Sequence, residues 1–262
     1  MKISICGKGG SGKSVITALL AMGLKARGYR VLVVDSDESN SGLFRLLGFN
    51  RPPNPLMEMV GGKRGLKEKM ALKTSAREAE SKREILNEDR IGLNDIPPQY
   101  RMGSDNLLLV SIGKILQSLE GCACPMGVLS REFLKKVHLG PKEVALIDME
   151  AGVEHFGRGI ETSIDGVVVV IEPSLESLEL AARIKTLAQE AGVKKTWAVL
   201  NKIPSDDLAL KLKEEIGKRG IPWIGQVHYD PEIFKACLEG RELREEMAAK
   251  EIGEAIDHLM AC

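Results

Sequence analysis

The chain has 262 residues, of which 44% are hydrophobic; this is enough for one large α/β domain or two small ones and excludes a disordered chain. Lysine plus arginine and aspartate plus glutamate are equal at 37 each, so no overall charge recruits nucleic acid or an anionic membrane, and we expect neither as a partner. No apolar stretch is long enough to cross a bilayer and no signal peptide precedes the first strand, which predicts a cytoplasmic protein.

Short apolar segments alternate with helical segments along most of the chain. Strands are predicted at 3–6, 30–34, 106–112, 144–147, 166–171, 196–200 and 223–227, and helices at 15–27, 128–137, 175–190, 206–218 and 245–260. The strands are near-continuously apolar and rich in Val, Ile and Leu, which is typical of strands buried on both faces of a parallel sheet. The pattern predicts an α/β fold: a doubly wound, mainly parallel sheet of about seven strands, with helices on both faces and ligands at the carboxyl ends of the strands.

The first predicted strand leads directly into a glycine-rich loop, Gly7-Lys8-Gly9-Gly10-Ser11-Gly12-Lys13-Ser14. This is a P-loop pattern between a predicted strand and a predicted helix, the context that gives the pattern meaning. The backbone N–H groups of such a loop cradle phosphate oxygens, and the helix that follows adds the positive end of its dipole. We expect Lys13 to contact the β- and γ-phosphates of ATP and the Ser14 hydroxyl to bind Mg²⁺.

Lys8 makes the loop Lys-Gly-Gly-x-Gly-Lys-Ser, which resembles the deviant P-loop of the nitrogenase iron protein, MinD and ArsA. The resemblance implies a homodimer in which Lys8 crosses the interface onto the partner's nucleotide. A cation delivered only in the assembled state neutralises charge as the γ-phosphate leaves, the logic of an arginine finger. A solvated loop lysine is the alternative interpretation.

Asp35 and Asp37 follow the second predicted strand, which places them beside the P-loop at the same edge of the sheet. Carboxylates at this position can coordinate magnesium or orient a water molecule for in-line attack. By the same resemblance this segment is switch I, and Asp37 is the acid that positions the water. The alternative is that either acid only caps the next helix.

The alternation of strands and helices weakens from 51 to 103, and we interpret this stretch as an insertion within a single ATPase domain that spans residues 1–262. Basic residues outnumber acidic ones between 63 and 90. That excess fits either a docking face for an acidic partner or a solvated helical surface. No motif in the insertion identifies the partner.

Cys122 and Cys124 are separated by one residue after the third predicted strand, close enough to bind a single metal ion. Two thiolates do not complete a tetrahedral site, but a two-fold axis at this loop would bring four together for nickel, zinc or copper(I). Pro125 suits the first position of the next helix, whose N-terminus would favour the thiolate form of Cys124. Two inert or disulfide-forming thiols are the alternative.

The fourth predicted strand ends at Asp148 in the Walker B arrangement, and we expect Asp148 to bind magnesium through water. Gly152 lies in the following segment, switch II, and would sense the γ-phosphate through its backbone N–H. This suggests how hydrolysis could move the neighbouring cysteine loop. For His155 a metal ligand and a proton carrier are candidate roles, and we favour a polar contact within the switch.

Together these motifs resemble the CooC family of accessory ATPases, which insert nickel into carbon monoxide dehydrogenase or the related acetyl-CoA synthase. The likeness depends on the deviant P-loop, Gly-Cys-x-Cys-Pro at 121–125, Asp-Met-Glu-Ala-Gly-Val-Glu-His-Phe-Gly-Arg-Gly at 148–159 and Val-Ile-Glu-Pro-Ser-Leu-Glu-Ser at 170–177. It implies an ATP-driven homodimer that binds Ni²⁺, or Zn²⁺, between Cys122 and Cys124 of both subunits, with one of those enzymes as its client. An iron–sulfur electron carrier and a MinD-like positioning ATPase stay open as alternatives.

Two later segments are candidates for binding the adenine base. Asn201 and Lys202 end a predicted strand at the nucleotide edge, and the Asn201 amide could read adenine N6 and N7 through paired hydrogen bonds. An ordinary turn residue is the alternative for Asn201. Pro231 and Glu232 follow the last predicted strand in a segment that resembles the family's loop over the base.

Overall fold

An eight-stranded sheet forms the centre of the computed structural model, which describes residues 1–39, 42–66, 68, 86, 88–104, 106–114, 124–244, 246 and 248–261. In chain order the strands are β1 Lys2–Gly7, β2 Arg30–Asp35, β3 Met102–Ser104, β4 Leu107–Ser111, β5 Glu143–Asp148, β6 Gly166–Ile171, β7 Lys195–Ile203 and β8 Trp223–His228. Their order across the sheet is β3-β4-β2-β5-β1-β6-β7-β8. Neighbouring strands are parallel except β3 and β4, which are antiparallel.

Helices cover both faces of this sheet. They are α1 Lys13–Ala26, α2 Leu43–Leu46, α3 Cys124–Lys136, α4 Leu175–Glu190, α5 Asp206–Lys218, α6 Pro231–Glu239 and α7 Ala249–Met260. One core cluster joins the sheet to α1, α2, α6 and α7, and a second joins it to α3, α4 and α5. The prediction of a doubly wound α/β fold is therefore confirmed. No described helix is both long enough and apolar enough to span a membrane.

The helix starts follow from local capping. The Ser174 hydroxyl accepts a hydrogen bond from the Ser177 N–H at the start of α4, and Ser205 accepts one from Leu208 at the start of α5. Each cap satisfies a backbone donor that the first turn leaves without an intrahelical partner. These two helices have the bounds that the sequence predicts.

The structure departs from the predicted elements at several places, including the unpredicted helix α2 and the start of α3 at Cys124. Strand β3 is absent from the prediction. It has only three residues, which is too few to show an alternating pattern of apolar and polar residues. The last helix begins at Ala249 rather than at 245, after Ala248 with a φ of 51°. Helix α6 occupies the segment that we interpreted as a loop over the base.

The described parts of 51–103 pack against the sheet on the same side as α3. Leu56, Leu66, Leu93 and Ile96 are buried in the core cluster that includes α3, α4 and α5. Most of the charged stretch, at 67, 69–85 and 87, lies outside the described residues. The docking face and the interpretation as an insertion therefore stay predictions.

The strand order brings the chemistry-bearing segments to one edge. In the register of β2 and β5, Asp35 lies opposite Asp148. Strand β1, next to β5, runs straight into the P-loop. The carboxyl ends of these three neighbouring strands therefore surround one cleft, as expected for an open α/β sheet.

Candidate nucleotide-binding site

The P-loop forms the turn between β1 and α1, and its glycines are needed for its shape. Gly10 and Gly12 have φ values of 81° and 94°, a region that favours glycine. A Cβ atom on Gly12 would lie 2.2 Å from the Asn201 amide nitrogen. Five of the predicted P-loop ligands line the adjoining cavity of about 550 Å³: Gly9, Gly10, Gly12, Lys13 and Ser14.

The predicted magnesium ligands Ser14 and Asp148 are in direct contact. The Ser14 hydroxyl donates to Asp148 Oδ2 at 2.6 Å, and the Thr17 hydroxyl donates to Oδ1 at 3.3 Å. Burial and, as a smaller cause, the nearby Asp35 carboxyl raise the pKa of the fully buried Asp148 to about 7. A hydroxyl beside a buried carboxyl is the oxygen donor set that Mg²⁺ prefers, so these residues fit the ion that sequence reasoning assigns to them.

The two acids after β2 have different surroundings. The Lys114 ammonium lies 2.7 Å from Asp35 Oδ1 and also donates to the Asp37 carbonyl oxygen. Burial raises the pKa of Asp35 to about 6, although Lys114 opposes this shift. The Asp37 carboxylate instead accepts hydrogen bonds from the Ser39 N–H and hydroxyl, at 2.9 and 2.7 Å, and lines the cavity. Asp37 therefore lies at the cavity, and its role in positioning a water molecule stays a prediction.

Lys114 is a residue of this site that sequence reasoning does not identify. Its only signal is its position in Gly113-Lys114, just after β4 at the nucleotide edge. Because a buried carboxylate is costly unless it is paired, an adjacent cation is what Asp35 requires. The pairing partner lies 79 residues away along the chain, beyond the reach of any local pattern.

Lys8 belongs to a cluster of three charges at the mouth of the cavity. Its ammonium lies 3.2 Å from Glu172 Oε1, and the Lys202 ammonium lies 3.6 Å from Glu172 Oε2. Lys202 also donates to the Gly10 carbonyl at 2.5 Å, and Lys13 donates to the Lys8 carbonyl at 3.3 Å. Glu172, which follows β6, thus holds Lys8 against its own subunit.

Asn201 makes a contact with the P-loop that the sequence does not predict. The Asn201 side chain is buried, with 4% of its surface exposed, and its amide donates to the Ser11 carbonyl at 2.8 Å. Asn201 therefore stabilises the P-loop through this hydrogen bond, and it also lines the cavity. Among the described residues, Tyr229, Asp230, Ile233 and Phe234 line it as well.

Pro231 and Glu232 lie in a helix rather than in a loop, and their contact with the base stays a prediction. They begin helix α6, where Asp230 is the cap and accepts from the Glu232 N–H at 2.7 Å. Proline at the first helical position after an Asp cap is a helix-start signal that sequence reasoning overlooked. Among the described residues, Asp230 and Ile233, which flank Pro231 and Glu232 in the chain, line the cavity.

Gly152 and His155 lie beneath the P-loop. The Gly152 N–H donates to the Gly7 carbonyl at 3.3 Å, so it has to leave this bond to reach a γ-phosphate. His155 is completely buried, and its Nε2 lies 3.4 Å from the Cys6 sulfur. Burial lowers the pKa of His155 to about 3, with Arg158 and Lys13 as further causes. A neutral, buried imidazole fits a polar contact, but this contact joins the switch to Cys6 of β1 rather than two residues within the switch.

Most of the predicted cysteine site lies outside the described residues. Cys122 is outside the described residues, and Cys124 is the first residue of α3. Within the described ranges, no group of three or more His, Cys, Asp or Glu side chains could hold a metal ion. The shared thiolate site therefore stays a prediction.

Comparisons with known proteins agree with this geometry. The model of the CobQ/CobB/MinD/ParA nucleotide binding domain matches residues 3–243. The chain is 42% identical to an uncharacterized ATP-binding protein of Methanocaldococcus jannaschii, over 99% of both chains. It is 37% identical over 205 residues to the carbon monoxide dehydrogenase accessory protein CooC of Rhodospirillum rubrum, which covers 78% of this chain and 75% of that one.

A solved structure extends the comparison to the fold. The septum site-determining protein MinD of Pyrococcus horikoshii, determined with Mg-ADP, superposes with a TM-score of 0.69 at 18% identity, covering 98% of this chain and 95% of that one. At this identity the likeness concerns the fold alone. Taken with the P-loop, the buried Asp148 and the matched family model, it shows that the chain belongs to the CobQ/CobB/MinD/ParA nucleotide-binding family and is a P-loop ATPase.

Proposed function

We propose that the protein is an ATP-hydrolysing metallochaperone that dimerises on ATP and binds nickel, or zinc, through Cys122 and Cys124 of both subunits. Its client would be a carbon monoxide dehydrogenase or an acetyl-CoA synthase. The observation that carries this proposal is the similarity to the CooC accessory protein of Rhodospirillum rubrum over 78% of the chain. The Cys-x-Cys motif supports it, because two thiolates from each of two subunits would complete a tetrahedral metal site.

In this proposal the chain's own residues divide the work of hydrolysis. Asp37 orients a water molecule whose oxygen attacks the γ-phosphorus, and the bond from that phosphorus to the β–γ bridging oxygen breaks to give ADP and phosphate. Lys13 and the partner subunit's Lys8 neutralise the charge that develops on the phosphates. Ser14 and Asp148 would hold the magnesium ion, which supplies further charge neutralisation when bound.

A metal site shared by two subunits would couple these steps. Any change in the angle between the subunits changes the geometry of the four sulfur atoms, and with it the metal affinity. ATP binding would close the dimer around the ion, and hydrolysis would loosen it for delivery to the client.

Metal analysis of anaerobically prepared protein tests the proposal. We expect a protein that binds about one nickel or zinc ion per two chains and contains no stoichiometric iron, because four thiolates complete one site; the zinc form should be colourless. Cys122→Ser and Cys124→Ser should each abolish binding, whereas Cys237→Ser, at an exposed cysteine, should not. A brown protein with stoichiometric iron would identify an electron carrier instead. A metal-free protein whose hydrolysis responds to a lipid or polymer surface would identify a MinD-like ATPase.

A further inference from the structure

Arg158 connects two segments that face the nucleotide. It lies in the short 3₁₀ helix Phe156–Arg158, at the end of the switch II segment, residues 148–159. Its guanidinium lies 2.9 Å from Glu150 Oε1 in that segment and 3.3 Å from Glu38 Oε1. Glu38 directly follows the switch I segment, residues 35–37, in the chain. One cation therefore bridges switch II and the residue next to switch I.

The same arginine packs directly on α3, the helix that begins at Cys124. A Cβ atom on Gly127 would lie only 2.4 Å from Arg158 Cδ, so the helix approaches this closely because residue 127 is glycine. The Arg131 guanidinium of α3 donates to the Arg158 carbonyl at 3.1 Å. Arg158 is thus held to α3 through both its side chain and its backbone.

A second contact joins switch I to α3. The Ser36 and Ser130 hydroxyls are 3.1 Å apart, and both residues are buried. Contacts from both switch segments therefore meet the first two turns of the helix whose first residue is Cys124.

Electrostatics oppose any separation of these groups. The Glu38 side chain is 7% exposed. Burial raises its pKa to about 7, and Arg158 is the strongest influence in the opposite direction. Removing the cation from a buried carboxylate is strongly unfavourable. We therefore expect a displacement of either acid on nucleotide binding to shift Arg158, and a shift of Arg158 toward α3 to press on the turn at Gly127, where its side chain already packs closely.

We propose that Arg158 is a positioning residue that transmits the nucleotide state from the two switch segments to α3, and so sets the metal affinity at Cys124. This inference rests on the proposed function, since it concerns the regulation of the same metal site. It assigns Arg158 no contact with ATP or metal.

Zinc affinity measured by competition with a chromophoric chelator tests the inference. For the full chain, we expect the dissociation constant to differ about 5- to 150-fold between ADP and a non-hydrolysable ATP analogue, the usual range of coupling between two sites. In Arg158→Gln this ratio should fall close to one, while zinc still binds in both states. Arg183→Gln, an exposed arginine on α4, is the matched control and should keep the full ratio.

Two further variants test whether a folding defect explains the result for Arg158→Gln. Arg158→Lys keeps the charge, and because both glutamates contact the single Nη1 atom, its ammonium should retain part of the ratio. Gly127→Ala fills the contact between α3 and Arg158 without removing any charge, and should also reduce the ratio. An Arg158→Gln protein that binds zinc with the wild-type ratio would overturn the inference, as would a wild-type ratio of one. A wild-type protein that binds no nickel or zinc would refute the proposed function instead.

Discussion

Asp148 is completely buried at the carboxyl end of β5, although magnesium binding needs its charged form. Desolvation raises its pKa from 3.8 to about 7. Between these two values the folded carboxyl keeps a proton that the unfolded chain has lost. The free energy of unfolding therefore falls as the pH rises through this window, and the penalty is complete above about pH 7.

We therefore expect Asp148→Asn to be more stable than the wild type in nucleotide-free protein, and more so at pH 8 than at pH 5. The difference between the two pH values should be about 1–3 kcal/mol, or several degrees in Tm. ATP hydrolysis should be lost, since asparagine carries no charge for the metal. Thermal unfolding in a chelating buffer measures the effect. Asp207→Asn, at an exposed site, should show no such pH dependence, and a pH-independent gain for Asp148→Asn would contradict the assignment.

Sequence reasoning at this scale identifies residues that lie within local motifs. Ser14, Asp148 and Lys13 follow from short spacings in which the pattern itself encodes the geometry. Lys114 and Glu172 do not, because their roles come from ion pairs with Asp35 and Lys8, which lie 79 and 164 residues away in the chain. Such pairs depend on strand order, which no single segment specifies.

Helix α6 shows what a short element adds to the nucleotide site. Its Ile233 is buried against the sheet, whereas Phe234 and Tyr229 are 58% and 52% exposed with rings 6.3 Å apart. Both aromatic residues line the cavity. A large exposed ring at a ligand cavity offers a stacking surface for a base, so α6 fits the base-binding role better than the loop that the sequence suggests.

Phe234→Ala should therefore weaken ATP binding about 5-fold or more, since stacking of a base on an aromatic ring contributes about 1–3 kcal/mol. Turnover at saturating ATP should be unchanged, because a contact with the base contributes equally to the ground and transition states. Titration with a fluorescent nucleotide measures the affinity. Leu238→Ala is the matched control, as this side chain is 77% exposed on the same helix. Equal affinities for the two variants would exclude a base contact.

Elements are predictable where capping and periodicity agree. Helices α4 and α5 have the predicted bounds because Ser174 and Ser205 cap runs of 16 and 13 residues with regular apolar spacing. Strand β3 has no such signal: it pairs with β4 only because Gly103, with a φ of 121°, allows the Leu107 carbonyl to approach. This close approach is a tertiary contact, so the residue types of the segment alone do not predict that strand β3 forms.

If Lys8 contacts the nucleotide of a partner subunit, its ammonium has to leave Glu172 when the two subunits of the whole molecule assemble. In the single chain its ammonium is paired with Glu172, and the two side chains are 38% and 20% exposed. A pair this open to solvent contributes at most about 1 kcal/mol. The pairing therefore holds Lys8 in place without preventing its transfer to a better anion, such as the phosphates of a second subunit.

Mixing two inactive variants distinguishes action across an interface from action within one chain. Lys8→Ala keeps Asp37 but cannot donate the lysine, and Asp37→Asn keeps Lys8 but cannot orient the water. Each variant alone should lack ATP turnover. In a mixed dimer, the Lys8→Ala subunit receives the lysine of its partner and one of the two sites is complete, so an equal mixture should recover about a quarter of the wild-type rate. Recovery should also rise with total protein concentration, since it requires assembly. A mixture that stays inactive at concentrations where ATP-bound wild type is dimeric would show that Lys8 acts within its own chain, and the proposed two-subunit site would then lose its basis.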